Sequence, residues 1–140
     1  MKLFLDTNII IDLVTGRQPF GHDAGLLYRL RLEPDMYLMV SDLTIFNTAY
    51  SLRKEHFPKE EIFDILQSIL PNLIVLNMGR SVIERSLQKR GKDFEDDAQY
   101  FSAVDAGADY IITRNKKDFP QEDFILEPKE FFDLMNIELE

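Results

Sequence analysis

The stretch Lys2-Leu3-Phe4-Leu5-Asp6-Thr7-Asn8-Ile9-Ile10-Ile11-Asp12-Leu13-Val14 decides the fold. Lys2–Leu5 is a short run of core residues without Gly or Pro, which reads as a buried strand. It stops at an acid and passes directly into a helical pattern over residues 8–15. The same alternation recurs along the chain. Strands are predicted at Tyr37–Val40, Leu73–Leu76 and Tyr110–Thr113, with a weaker fifth at Phe124–Leu126. Helices are predicted at 22–33, 43–56, 59–70, 80–91 and 94–107, with a last one near 128–136. Gly16 and Gly91 suit helix ends, Pro34 follows one helix and Pro58 precedes another. Strands alternating with helices imply one α/β domain over residues 1–140: a parallel sheet covered on both faces, in three α/β/α layers. In such sheets ligands gather beyond the carboxyl ends of the strands, where strand order reverses.

Composition narrows the chemistry. The 140 residues contain no cysteine, which excludes disulfides, thiolate metal sites and cysteine nucleophiles. His22 and His56, the two histidines, stand 34 positions apart, so they read as surface or structural residues rather than a metal site. No apolar run is long enough to span a membrane. The opening apolar run is cut off by Asp6, too early for a signal peptide. A cytoplasmic protein is expected. The formal charge is −9, which excludes a simple basic phosphate-binding surface. The charge is uneven, however: residues 119–140 carry net −6 and the remainder only −3. An anionic substrate is compatible with that balance if cations neutralise the site locally.

Four polar groups fall at positions where such a sheet would use them. Asp6 ends the first strand, and either Asp6 or Asn8 caps the following helix or faces a ligand. The fourth strand ends in Thr113 and runs into Arg114-Asn115-Lys116-Lys117-Asp118-Phe119, a solvated loop or a binding loop. Asp93-Phe94-Glu95-Asp96-Asp97 opens the helix before that strand. Asp93 is a natural cap there and acids suit the helix dipole, while helical phase does not choose between Asp96 and Asp97 as an inward acid. Asn47 shares a stripe with Leu43 and Tyr50 and should point inward, serving structure or a polar pocket. The donor set is oxygen only, which suits Mg²⁺ or Mn²⁺ and fits zinc poorly.

Leu5-Asp6-Thr7-Asn8-Ile9-Ile10-Ile11-Asp12, Asp93-Phe94-Glu95-Asp96 and Ile112-Thr113-Arg114-Asn115-Lys116-Lys117-Asp118-Phe119 together resemble the PIN domain, the family of VapC-like toxin ribonucleases. The resemblance covers nearly the whole chain. It implies a Rossmann-like parallel sheet of about five strands in the order 3-2-1-4-5, making Asp6 and Thr113 neighbours. It implies acids that hold one or two Mg²⁺ or Mn²⁺ ions and hydrolyse RNA. Asp6, Asp96, Thr113, Asn115 and Asp118 then become the expected catalytic set. Asp6, Asp96, Asp97 and Asp118 are the expected metal ligands, with Asn47, Asn8 and Asp12 in the outer shell. RNA phosphates would be steered by Arg85, Lys89, Arg90, Lys92, Arg114, Lys116 and Lys117. An antitoxin protein and a second copy of the chain are the implied partners.

The sequence departs from the family pattern at two places. Asn47 and Asn115 stand where many relatives carry acids, and an amide brings no negative charge. The alternative function is therefore a PIN-fold module that binds nucleic acid or protein through a weakened site. A phosphoryl-transfer α/β fold is disfavoured, because the first strand is followed by Asp6-Thr7-Asn8 rather than Asp-x-Asp, and the third strand ends in Asn77. A dinucleotide fold is disfavoured because no Gly-x-Gly-x-x-Gly follows the first strand.

Overall fold

A computed structural model describes residues 1–136. Five strands, β1 (Lys2–Leu5), β2 (Tyr37–Ser41), β3 (Ile74–Leu76), β4 (Tyr110–Ile112) and β5 (Ile125–Leu126), form one sheet in the order β3-β2-β1-β4-β5. Every pairing is parallel, with Leu3 opposite Leu38 on one side and Tyr110 on the other. The expected topology is therefore present. Its reversal lies between β1 and β4.

Among the described residues, seven helices connect and cover the strands: α1 (Thr7–Thr15), α2 (Gly21–Arg29), α3 (Asp42–Lys54), α4 (Lys59–Ile69), α5 (Gly79–Lys89), α6 (Phe94–Asp105) and α7 (Pro128–Met135). Successive strand residues point to opposite faces, and each face has its own core. Leu3, Leu5, Leu38, Val40 and Ile112 pack with Ile9 and Ile10 of α1, Leu27 of α2 and Phe131 and Phe132 of α7. Phe4, Met39 and Ile111 pack on the other side with Ala103 of α6, Phe119 and Ile125. Burial on both faces explains why the central strands β1, β2 and β4 read as continuous apolar runs. Among the described residues, no helix is long and apolar enough to cross a membrane.

The differences from expectation are local and have physical causes. The helix expected at 22–33 is α helix only to Arg29 and tightens into a 3₁₀ turn at Leu30–Leu32. The helix expected at 59–70 ends at Ile69, because Pro71 in the following 3₁₀ turn cannot continue it. Gly91 is not the left-handed cap of α5; Arg90 takes that conformation, with φ 49°. Gly91 is required for space instead, since a Cβ there would overlap the carboxylate of Asp97. The inward face of α3 is Thr44, Thr48 and Leu52, at i, i+4 and i+8. Tyr50 and Phe46 point to solvent, and Asn47 is half-buried at the edge of that face.

Candidate active site

Asp6 leaves the carboxyl end of β1 and Thr113 leaves that of β4, so the sheet reversal sets them side by side. Asp6 is 3% exposed. Its Oδ1 accepts the Thr7 N–H at 2.8 Å and its Oδ2 accepts the Thr113 hydroxyl at 2.8 Å. The Thr113 oxygen in turn accepts the Asn115 N–H at 3.0 Å. Thr113 is fully buried and its hydroxyl hydrogen is directed at Asp6. Its contact in this geometry is therefore with the Asp6 carboxylate. Burial pushes the Asp6 carboxyl up to about 6, against the lowering effect of the Thr113 and Thr7 hydrogen bonds and with repulsion from Glu95 and Asp93.

Asp96 lies half-buried in the first turn of α6, near enough to Asp6 to be affected by its charge. Asp93 caps that helix, accepting the Asp96 N–H at 2.9 Å. Partial burial raises Asp96 to about 7, reinforced by the charges of Asp6, Asp93, Asp118 and Glu95 in that order. Asp118, in the 3₁₀ turn after β4, stands 3.9 Å from the Lys92 ammonium. Asn47 donates to Glu95 at 2.5 Å, which ties α3 to the acidic start of α6. Asn8 is half-buried on α1.

Helical phase left Asp96 and Asp97 open, and tertiary packing separates them. Asp97 is buried on another side of α6, where its Oδ1 accepts the Lys89 ammonium at 2.6 Å. The expectation that Asp97 ligates the metal is corrected: its charge is matched by Lys89 and its other oxygen lies against Gly91. Asp12 is corrected likewise. It is 1% exposed, roughly 9 Å along α1 from Asp6 at 1.5 Å per residue, and anchors two arginines. Arg17 Nε approaches it at 2.5 Å and Arg114 Nε at 2.6 Å.

Most of the cations expected to meet RNA are engaged within the chain. Arg85 makes a two-point pair with Asp105, Lys89 holds Asp97, Lys116 holds Glu130 at 3.0 Å, and Arg114 holds Asp12 while lying 3.8 Å over the Phe20 ring. Arg90, Lys92 and Lys117 remain exposed, and only Lys92 among them has an acid within 4 Å among the described residues.

Sequence reasoning missed a buried polar layer beneath Asp6. Thr7 and Thr44 meet hydroxyl to hydroxyl at 2.8 Å, Ser41 stands 3.3 Å from Thr44, and Gln99 of α6 donates to both threonines. The one signal available was spacing: Gln99 follows Asp96 by a single helical turn.

The donor chemistry can be tested against a hard cation. Two carboxyl groups raised by burial and by the negative charges around them would be relieved by a cation close to both. Among the described residues, no three His, Asp or Glu side chains converge into a closed cage. An open pair of carboxylates nevertheless fits Mg²⁺, which keeps several waters and takes one or two protein carboxylates with substrate phosphate.

The model of the PIN domain matches residues 2–117. The chain belongs to the PIN domain family. Across 140 residues, this PIN domain is 24% identical to Ribonuclease VapC1 of Aquifex aeolicus (strain VF5), covering 96% of both chains. Its fold superimposes on a toxin–antitoxin complex from Klebsiella pneumoniae with TM-score 0.67 and 25% identity, covering 90% of this chain and 97% of that one. It also superimposes on Mycobacterium tuberculosis VapC20, a sarcin-ricin loop cleaving toxin, with TM-score 0.62 and 16% identity over 87% of this chain and 92% of that one.

Proposed function

We propose that residues 1–140 act as one PIN domain that hydrolyses RNA phosphodiester bonds as a Mg²⁺- or Mn²⁺-dependent endoribonuclease, the toxin of a toxin–antitoxin pair working in the cytoplasm. The observation that carries this reading is a buried acid at the carboxyl end of β1, Asp6, whose charge raises the half-buried Asp96 at the start of α6. Family membership and the ribonuclease relative supply the reaction class.

Asp6 and Asp96 would hold the ion, with Asp118 and Asn115 at the rim. When bound, the ion supplies Lewis acidity that makes water a nucleophile and offsets charge on the phosphate. The chain's own residues do the rest. Thr7 and Thr113 fix the Asp6 carboxylate, so its remaining lone pairs are presented in a set direction. Asn47 holds Glu95 at the mouth. Lys92, Arg90 and Lys117 are the exposed cations available to backbone phosphates, and their small number suits a chain of charge −9 that depends on a cation for substrate affinity. An antitoxin and a second copy of the chain are the proposed partners, the first supported by the toxin–antitoxin relative.

The test is cleavage of single-stranded and structured RNA with and without Mn²⁺, comparing wild type, Asp6→Asn and Asp96→Asn. Loss of cleavage in both variants supports the reading; equal residual cleavage in all three removes it. The second reading, a PIN-fold binding module with a weakened site, rests on the lack of a three-acid cage among the described residues and on amides at positions 47 and 115. It predicts RNA binding without turnover. Co-expression with the product of the neighbouring open reading frame tests the antitoxin.

A further inference from the structure

The residues of the candidate site come from three stretches of chain far apart in sequence: the β1–α1 junction with Asp6, α3 with Asn47, and the start of α6 with Asp96. One side chain touches all three stretches. Gln99, 1% exposed, projects from α6 one turn beyond Asp96. Its amide nitrogen donates to Thr7 Oγ1 at 3.0 Å and to Thr44 Oγ1 at 3.2 Å. A primary amide has two N–H donors, one for each threonine. Thr7 follows Asp6 directly and gives it a backbone N–H. Thr44 lies one turn before Asn47, and its oxygen meets Thr7 and Ser41.

Stability alone does not account for this arrangement. Apolar side chains would fill a buried space between two helices and a strand end without desolvating an amide and three hydroxyls. Gln99 Oε1 even lacks a donor among the described residues. What the amide adds is direction: apolar surfaces slide, whereas two hydrogen bonds to two fixed oxygens set the height and rotation of α6. We infer that Gln99 is a positioning residue, which sets Asp96 against Asp6 for divalent-cation binding by gripping Thr7 and Thr44. This rests on the ribonuclease reading above and deepens it. Supporting groups of this kind change metal affinity by about 10–100-fold when removed.

The experiment titrates Mn²⁺ into the full chain at pH 7.5 without RNA, reading free ion by electron paramagnetic resonance, with far-ultraviolet circular dichroism as the check on folding. Gln99→Met keeps the side-chain length and should bind Mn²⁺ about tenfold more weakly with an unchanged spectrum. Thr44→Val should weaken binding in the same direction, while Thr44→Ser, which keeps the hydroxyl, should match wild type. Leu27→Ala, in the opposite core, should lower the melting temperature without changing affinity, separating positioning from loss of stability. Binding by Gln99→Met within twofold of wild type, with Asp6→Asn deficient, overturns the inference and leaves the ribonuclease reading intact. Lack of saturable binding by wild type overturns both. Should Gln99→Met not fold, the Thr44→Val and Thr44→Ser pair decides, and equal affinities overturn the inference.

Discussion

Replacing Asp6 by Asn should stabilise the metal-free protein at alkaline pH and destabilise it at acid pH. The native carboxyl titrates near 6, against 3.8 for an unperturbed one. The shift of roughly two units corresponds to about 3 kcal/mol of penalty on the ionised native form. Below about pH 3 both folded and unfolded chains hold the proton and the penalty is close to nil. Between pH 4 and 6 the folded chain holds a proton that the unfolded chain has released, so stability falls as pH rises. Above pH 6 the full penalty persists. The Asp6→Asn variant would escape it. Its amide would still accept the Thr7 N–H but force the Thr113 hydroxyl to turn, a loss of about 1 kcal/mol at every pH. The net effect is a gain of about 2 kcal/mol at pH 8 and a loss of about 1 kcal/mol at pH 3. A chain of this length has an unfolding entropy of about 0.3 kcal/mol/K, so these become about +6 °C and −3 °C in melting temperature. Differential scanning calorimetry in EDTA at the two pH values measures both. A saturating cation should reverse the order at pH 8, because only wild type is stabilised; at one hundred times the dissociation constant this is about 2.7 kcal/mol. An Asp6→Asn variant equally destabilised at pH 3 and pH 8 would refute the argument that burial and repulsion load this carboxylate.

Other substitutions probe the surroundings. Thr113→Val removes a hydrogen bond that lowers the Asp6 pKa, so carbon-detected NMR titration should find Asp6 above 6 in that variant and unchanged in Thr113→Ser. Gly91→Ala forces a methyl group into Asp97 and should lose about 1–3 kcal/mol in urea unfolding, with much less lost when Asp97→Ala is present as well. Asp12→Ala strands the Arg17 and Arg114 guanidiniums and should lose about 3 kcal/mol by the same assay, less than a fully buried network would because Arg17 is partly solvated. Lys92→Ala with Lys117→Ala should flatten the salt dependence of RNA binding more than Arg85→Ala with Lys116→Ala, whose cations are already paired.

The strand positions could be read because each is a short apolar run, buried on both sides in the central β1, β2 and β4, and the sheet order followed from motif resemblance. Asp6 and Thr113 were legible because each directly follows a buried strand. The choice between Asp96 and Asp97 was not, since both lie on packed faces of one helix and only Lys89 and Gly91, from the preceding helix and turn, show which way Asp97 goes. The Asn47 stripe misread α3 because Tyr50 looked like a core residue, while the true inward face consists largely of threonines. Gln99 and Thr44 were invisible for the same reason. Their role depends on partners 55 and 92 positions distant, and a threonine or glutamine in a helix carries no local mark of burial.

The bond between Thr113 and Asp6 joins residues 107 positions apart. On a translating ribosome the acid emerges almost at once, while its hydroxyl companion comes only after β4 has been made. A truncated product ending anywhere before that point would carry Asp6 without the strand that orients it. Orientation of this carboxylate is therefore among the last features the chain acquires as it is made.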